Sequence, residues 1–273
     1  MVDPNFVRAV AREAHADEKT LLLEVGPGTG LLTAALLESH PQARVLAIEL
    51  DPKLANLLRE EFAGELSAGR LTLLEGDVLA GKHALNAEWL GEIARISHTE
   101  GRPQRVLCAN LPYNAATPLI ANLAWPMDEA FRAAAGALIE ERTVQRIVAT
   151  IQLELAERLF GAPGSHDYGA LTACLALCSK GKLTRKVGPE AFWPRPQVSS
   201  AVIELDYPAW PACALRREEA LAFRDFTQTL FQQRRKTLGA VLKGRLSKEA
   251  PLAKARAEDL APAELLGLFR TLR

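Results

Sequence analysis

TLLLEVGPGTGLLTAALLES, residues 20–39, decides the fold. Its first six residues are an apolar run of the kind that fills a buried strand, and its last nine repeat Leu and Ala at helical spacing. Between them lies Glu24-Val25-Gly26-Pro27-Gly28-Thr29-Gly30. Glycines at a strand-to-helix turn permit sharp turning and close approach of backbone to a ligand. A plain tight turn would satisfy the same pattern, but the strand–turn–helix setting favours a ligand loop. The dinucleotide fingerprint G-x-G-x-x-G would need glycine at position 31, where this chain has Leu31. Pro27 also removes a backbone donor. The loop is not the G-x-x-x-x-G-K-[ST] phosphate loop either.

Working outward, strand-like runs alternate with helical ones. RVLAIEL (44–50) precedes a helix opened by Asp51-Pro52, and RLTLLEGDV (70–78) and RVLCANLPY (105–113) follow. Such alternation predicts a parallel sheet covered on both faces, with ligands at the C-terminal strand ends. Residues 80–104 and 126–146 read as helical excursions, and TIQLELAERLF (150–160) as a helix. SSAVIELDYP (199–208) reads as a late strand, YPAWPA as a linker, and the chain from about residue 214 as helical.

The candidate residues all lie at strand ends. Glu49 closes the second strand about 20 residues beyond the glycine loop, where a carboxylate can accept hydrogen bonds from both ribose hydroxyls of an adenosine. Asp77, after the third strand, can take the adenine amino group. Alone, Glu49 reads as a surface acid and Asp77 as a turn residue. Together with Gly26, Gly28 and Gly30 they describe an adenosine site with no diphosphate to hold. S-adenosylmethionine fits that description, and its sulfonium makes methyl transfer the natural chemistry. The full set of expected cofactor contacts is Glu24, Gly26, Gly28, Gly30, Glu49, Leu50, Asp77, Val78 and Asn110.

At the end of the fourth strand stands Asn110-Leu111-Pro112-Tyr113. An exocyclic amine on a base is a poor nucleophile, because its lone pair is delocalised into the ring. Two acceptors on its N–H groups draw it toward tetrahedral geometry. The Asn110 side-chain oxygen can be one, and the Leu111 or Pro112 carbonyl the other. Tyr113 offers a flat face for the base, which must be unpaired or flipped out. On its own the stretch is equally well a strand-to-helix turn with a capping Asn and a core tyrosine.

These stretches resemble the ribosomal RNA adenine N6,N6-dimethyltransferases, the family that modifies adjacent adenosines near the 3′ end of small-subunit rRNA. The likeness runs through LLEVGPGTGLLT, AIELD, LLEGDVL, ANLPYNAATPLI, IQLELAERL, YGALT, GPEAFWPRPQVSSAVIEL, FQQRRKTL and RAEDLAPAEL, nearly the whole chain. It implies an α/β, Rossmann-like S-adenosylmethionine-dependent methyltransferase domain over residues 1–208 and a small helical rRNA-binding domain over 209–273. It also implies that Asn110, Leu111, Pro112 and Tyr113 form the transfer site, with Phe192 holding the target adenine against Tyr113. The family usually opens with a basic arm and a Gly-Gln-Asn-Phe-Leu segment, and Met1 stands here at the position of that Leu. Leu153 and Ala170 also replace residues that are commonly basic.

The formal net charge is zero, yet residues 208–273 hold 13 Lys/Arg against 7 Asp/Glu, leaving 20 against 26 in residues 1–207. This asymmetry suggests an anionic partner for the C-terminal part. FQQRRKTLGAVLKGRLSK (231–248) carries six Lys/Arg and no acid. A solvated helix face is its plain reading. With the resemblance, Arg234, Arg235 and Lys236 are expected to contact phosphates, and SKGKLTRK (179–186) to extend that surface. Four cysteines without a Cys-x-x-Cys pair and five scattered histidines point to no metal or disulfide framework. No apolar stretch reaches membrane-spanning length. The expectation is a cytoplasmic monomer acting on small-subunit rRNA in an immature subunit. The alternatives are a ribosome-assembly or transcription factor that keeps the fold with reduced or no methylation, and a large-subunit rRNA adenine N6-methyltransferase. A DNA amino-methyltransferase or an NAD-binding oxidoreductase fits the motifs less well.

Overall fold

The computed structural model describes residues 3–81, 84–125, 142–209, 212–247 and 250–273. Nine strands are described: β1 Thr20–Val25, β2 Arg44–Glu49, β3 Leu71–Glu75, β4 Leu79–Gly81, β5 Ala84–Leu85, β6 Gln104–Asn110, β7 Arg146–Gln152, β8 Lys180–Val187 and β9 Ser200–Asp206. Seven form one sheet in the order β3-β2-β1-β6-β7-β9-β8, while β4 and β5 make a small hairpin. Neighbours from β3 to β7 are parallel, and β9 runs antiparallel to both β7 and β8.

Strand β1 is buried along its whole length. Leu21, Leu23 and Val25 join the core on one face of the sheet and Leu22 the core on the other. Burial on both faces is why the sequence of β1 is continuously apolar rather than alternating. Successive connections leave β1 first for β2 on one side and later for β6 on the other. The C-terminal ends of β1 and β6 therefore border the crevice where such sheets bind ligands.

Helix α1, Pro4–Arg12, is capped by Asp3, whose carboxylate accepts the Asn5 amide at 2.9 Å. It buries Phe6, Val7, Val10 and Ala11 against α2, Leu31–Ser39. The helices α3 Pro52–Glu61, α4 Ala63–Ser67, α5 Ala87–Thr99 and α6 Tyr113–Ala124 complete the layers around the sheet.

The structure corrects or completes the sequence reading in three places. Residues 146–152 are a strand, and the helix read over TIQLELAERLF begins only at Leu153. SKGKLTRK, expected only to extend a basic surface, falls on a strand: Lys180–Val187 forms the edge strand β8, with its side chains mostly exposed. The basic run from 231 is not one helix, because the helix Ala220–Gln232 ends there and Arg234–Lys236 lie in the turn beyond. The helical excursion read over 126–146 falls mainly on 126–141, outside the described residues.

A third core cluster packs Tyr168 and the helix Ala170–Cys178 with Leu215, Phe223 and the helix Pro262–Thr271. Residues on both sides of position 208 thus share one core. At this junction the buried Arg142 guanidinium donates to the carbonyls of Pro208 at 2.9 Å, Cys178 at 3.1 Å and Ala124 at 3.3 Å. No helix among the described residues is long and apolar enough to cross a membrane.

Candidate active site

The glycine loop closes on itself and on β2. Gly26 has φ +66° and donates its amide to the Ile48 carbonyl at 2.9 Å. The Gly28 amide, also at positive φ, donates to Glu49 Oε2 at 2.9 Å, and the other Glu49 oxygen accepts the Asp51 amide at 2.9 Å. The Glu49 carboxylate is thereby fixed at the end of β2 by two backbone donors. Each oxygen keeps a lone pair for a further donor.

Glu49 lines a cavity of about 240 Å³ together with Ile48, Leu50, Asp77, Val78 and Leu79. Asp77 is exposed and is held by the Leu79 amide, which donates to its Oδ1 at 2.9 Å. Leu50 stands largely in solvent at the end of β2, where an apolar side chain has no packing partner of its own. A slot with apolar walls and the carboxylates of Glu49, Asp51 and Asp77 along its edges matches a nucleoside: ring against the walls, hydroxyls and amino group toward the acids. The residues present thus fit an adenosine-bearing cofactor.

A second cavity of about 300 Å³ lies beside the first, lined by Asn110, Leu111, Tyr113, Phe192 and Trp193. Gly26 and Pro112 line both, so they form the partition. A Cβ added at Gly26 would stand 3.1 Å from Pro112 Cγ, tighter than ordinary contact, so glycine lets the two approach without displacement. Asn110 is the last residue of β6, and the Leu111 amide bonds to the Thr150 carbonyl of β7 at 3.1 Å. Pro112 begins α6, and its carbonyl accepts the Ala115 and Ala116 amides, each at 3.0 Å. The Leu111 carbonyl is therefore the better second acceptor for an amine.

Tyr113 is partly exposed, and its hydroxyl is hydrogen-bonded to the buried Ser200 hydroxyl at 3.1 Å. That bond fixes the ring from its far end. Phe192 is 8% exposed and meets Phe6 edge-on at 6.4 Å between centroids, so it lines the cavity from within the core.

Three expected site residues are committed elsewhere. Gly30 lines neither cavity, and a Cβ there would meet Phe62 at 2.5 Å and Leu58 at 2.9 Å. Glu24 is buried, lines neither cavity, and accepts the Thr33 hydroxyl at 2.7 Å. It ties β1 to α2 beneath the loop. In the C-terminal part, the Arg234 guanidinium bonds to Glu258 and to the carbonyls of His166 at 2.9 Å and Ser165 at 3.0 Å. Arg235 and Lys236 are exposed. Ser200 and Trp193 were not singled out from the sequence. Ser200 lies in the quoted PQVSS, but nothing in that string tells which hydroxyl meets the tyrosine.

Burial pushes the Glu24 carboxyl up to about 8, with the Thr33 hydroxyl opposing and the Glu49 charge adding to the rise. The unfolded chain loses this proton near the ordinary value of 4.5. Between those values the native state holds a proton that the unfolded state has released. The carboxyl therefore costs nothing below about pH 4.5, erodes stability as pH rises, and its cost levels off above about pH 8, at on the order of 3–5 kcal/mol. Glu24→Gln is expected to leave Tm almost unchanged at pH 5 and to raise it by several degrees at pH 9. Thermal melts across that range check this, and parallel pH profiles for the two proteins would refute it.

Comparison with known proteins bears on the family and the fold. The family model for ribosomal RNA adenine dimethylase matches residues 1–270. The protein named ribosomal RNA small subunit methyltransferase A from Methylococcus capsulatus is 34% identical over 275 residues, spanning 99% of this chain and 93% of the relative. The protein of the same name from Acidothermus cellulolyticus is 36% identical over 246 residues, spanning 89% and 73%. Among solved structures, a dimethyladenosine transferase from Plasmodium falciparum superposes with TM-score 0.66 at 20% identity, covering 97% of this chain and 94% of that one. The 23S rRNA methyltransferase ErmE gives TM-score 0.59 at 22% identity, covering 99% and 98%. At such identities the two structures speak for the fold, which is the Rossmann-like α/β fold expected. The match along nearly the whole length and the identity to the curated relatives establish kinship: the chain belongs to the ribosomal RNA adenine dimethylase family.

Proposed function

We propose that this protein transfers methyl groups from S-adenosylmethionine to the N6 amines of adjacent adenosines near the 3′ end of small-subunit rRNA, acting as a cytoplasmic monomer on an immature subunit. One observation carries the reading. A cavity whose lining suits a nucleoside and an aromatic-lined cavity meet across Gly26 and Pro112, the arrangement a donor and an acceptor need for direct transfer.

In this reading Glu49 takes the ribose hydroxyls, Asp77 takes the adenine amino group, and Ile48, Leu50 and Val78 hold the ring. The cofactor supplies a methyl group made electrophilic by its sulfonium. Asn110 and the Leu111 carbonyl accept the two N–H groups of the target amine and aim its lone pair at the partition. Tyr113 and Phe192 grip the base. No carboxylate or imidazole lines the second cavity among the described residues. The protein's contribution is therefore positioning, not proton abstraction.

The test is incubation with labelled S-adenosylmethionine and immature small subunits. Label is expected as dimethyladenosine near the rRNA 3′ end. Tight cofactor binding with no transfer to any rRNA would overturn the reading and favour an assembly factor.

RNA contact is assigned to Arg235 and Lys236, and the basic edge strand β8 is given the same electrostatic role. Replacing both Arg235 and Lys236 by Ala is expected to weaken RNA binding and to flatten the log–log salt dependence by about 1.4–1.8, at roughly 0.7–0.9 per lost phosphate contact. An unchanged slope would remove them from the interface. Arg234→Ala should instead lower Tm, because it frees the 165–166 loop and leaves Glu258 without this partner.

A further inference from the structure

Trp193 is the most exposed large hydrophobic side chain among the described residues, at 78%. By contrast Trp89 is fully buried and Trp125 nearly so. An indole left in water gains nothing for folding, and what gives this one a meaning is the cavity it stands beside. Trp193 lines the target cavity beside Asn110, Tyr113 and Phe192. Phe192 has extended backbone, with φ −128° and ψ 149°. Neighbouring side chains on extended backbone leave on opposite sides. Phe192 accordingly turns into the core, and Trp193 turns out at the cavity mouth. Pro194 and Pro196 follow at once and limit how far this segment can rearrange.

We propose that the Trp193 indole is a stacking platform for the unpaired base directly beside the target adenine. The inference rests on the methyl-transfer reading and extends it: two neighbouring nucleotides are held together, one in the cavity and one on the indole. Stacking on a flat apolar face makes no demand on the amino edge of a base. The platform therefore accepts an adenine before or after its own methylation. With adjacent adenosines as substrate, strand polarity fixes which of the two stands on Trp193 while the other occupies the cavity.

The test compares a short single-stranded RNA carrying two adjacent adenines with the same RNA made abasic at the neighbour of the methylated position. Wild type, Trp193→Ala and Trp193→Phe are titrated with each at low salt. Wild type is expected to lose about tenfold in affinity on going to the abasic RNA, the scale of one stacked base. Trp193→Ala should lose the same factor on intact RNA and show no further loss on abasic RNA. Trp193→Phe should restore most of the difference, and indole emission should quench only when wild type binds the intact RNA. Cofactor affinity serves as the check on folding.

Equal abasic penalties in wild type and Trp193→Ala would overturn the proposal, as would unaltered binding of intact RNA by Trp193→Ala or no binding of either RNA by wild type. Methyl transfer by wild type to immature subunits is read separately. Its failure would sink the enzymatic reading, whereas failure of the base–indole coupling with transfer intact sinks only this one.

Discussion

Tyr113→Ala is expected to cut methyl transfer on the order of 100-fold while changing cofactor affinity by no more than about twofold. The asymmetry follows from where the ring stands. Tyr113 lines the second cavity and not the first. Removing it takes away the face on which the base stacks, worth roughly 1–3 kcal/mol per base. It also loosens the approach of the amine, to which an in-line transfer is sensitive. The Glu49 and Asp77 contacts do not involve it. Tyr113→Phe keeps the face but loses the bond to Ser200. It should therefore fall between the two, at about three- to tenfold. Steady-state kinetics with labelled cofactor, paired with calorimetric cofactor binding, separate the two effects. Parallel loss of both in Tyr113→Ala would make the ring a structural element of α6.

Why these residues could be found in the sequence, and others not, follows from how each is positioned. Strands β1, β2, β3, β6 and β9 are legible because each apolar run stops at a turn signal or a charged residue. β7 is not, because Arg146–Gln152 passes straight into the helix at Leu153 with no Gly or Pro between them. β8 is hidden by its own edge protection: Lys180, Lys182, Arg185 and Lys186 discourage further strand pairing, and in the sequence they show only as a basic surface. The site was legible where a strand end alone fixes a residue, as at Glu49, Asp77 and Asn110. It was not legible where the answer depends on which way a side chain turns. Glu24 precedes the glycine loop by two residues yet faces Thr33, and Arg234 sits in a basic run yet holds the carbonyls of Ser165 and His166. Ser200 and Tyr113 are 87 residues apart, and only the sheet brings them together.

Gly26→Ala should be the more damaging change, because it strikes the partition itself. Gly26 sits at φ +66°, where a side chain costs about 1–2 kcal/mol in backbone strain. Gly28, at φ +62°, pays the same strain, but a Cβ there meets nothing within 4 Å. At Gly26 the added Cβ meets Pro112 Cγ at 3.1 Å and Cδ at 3.3 Å. A proline ring cannot swing aside as a long side chain can. A change of ring pucker supplies part of the few tenths of an ångström needed, and the rest moves Pro112, and with it the Leu111 carbonyl and Asn110. The loop is also pinned to β2 through the Gly26 amide, so it has little room to retreat. Gly26→Ala is therefore expected to lower cofactor affinity about tenfold and kcat/KM on the order of 1000-fold, with a Tm loss close to that of Gly28→Ala. The decisive comparison is between these two variants at matched stability. If Gly26→Ala melts like Gly28→Ala and transfers methyl groups just as well, the Gly26–Pro112 contact does not set the distance between donor and acceptor, and the two cavities do not work as one site.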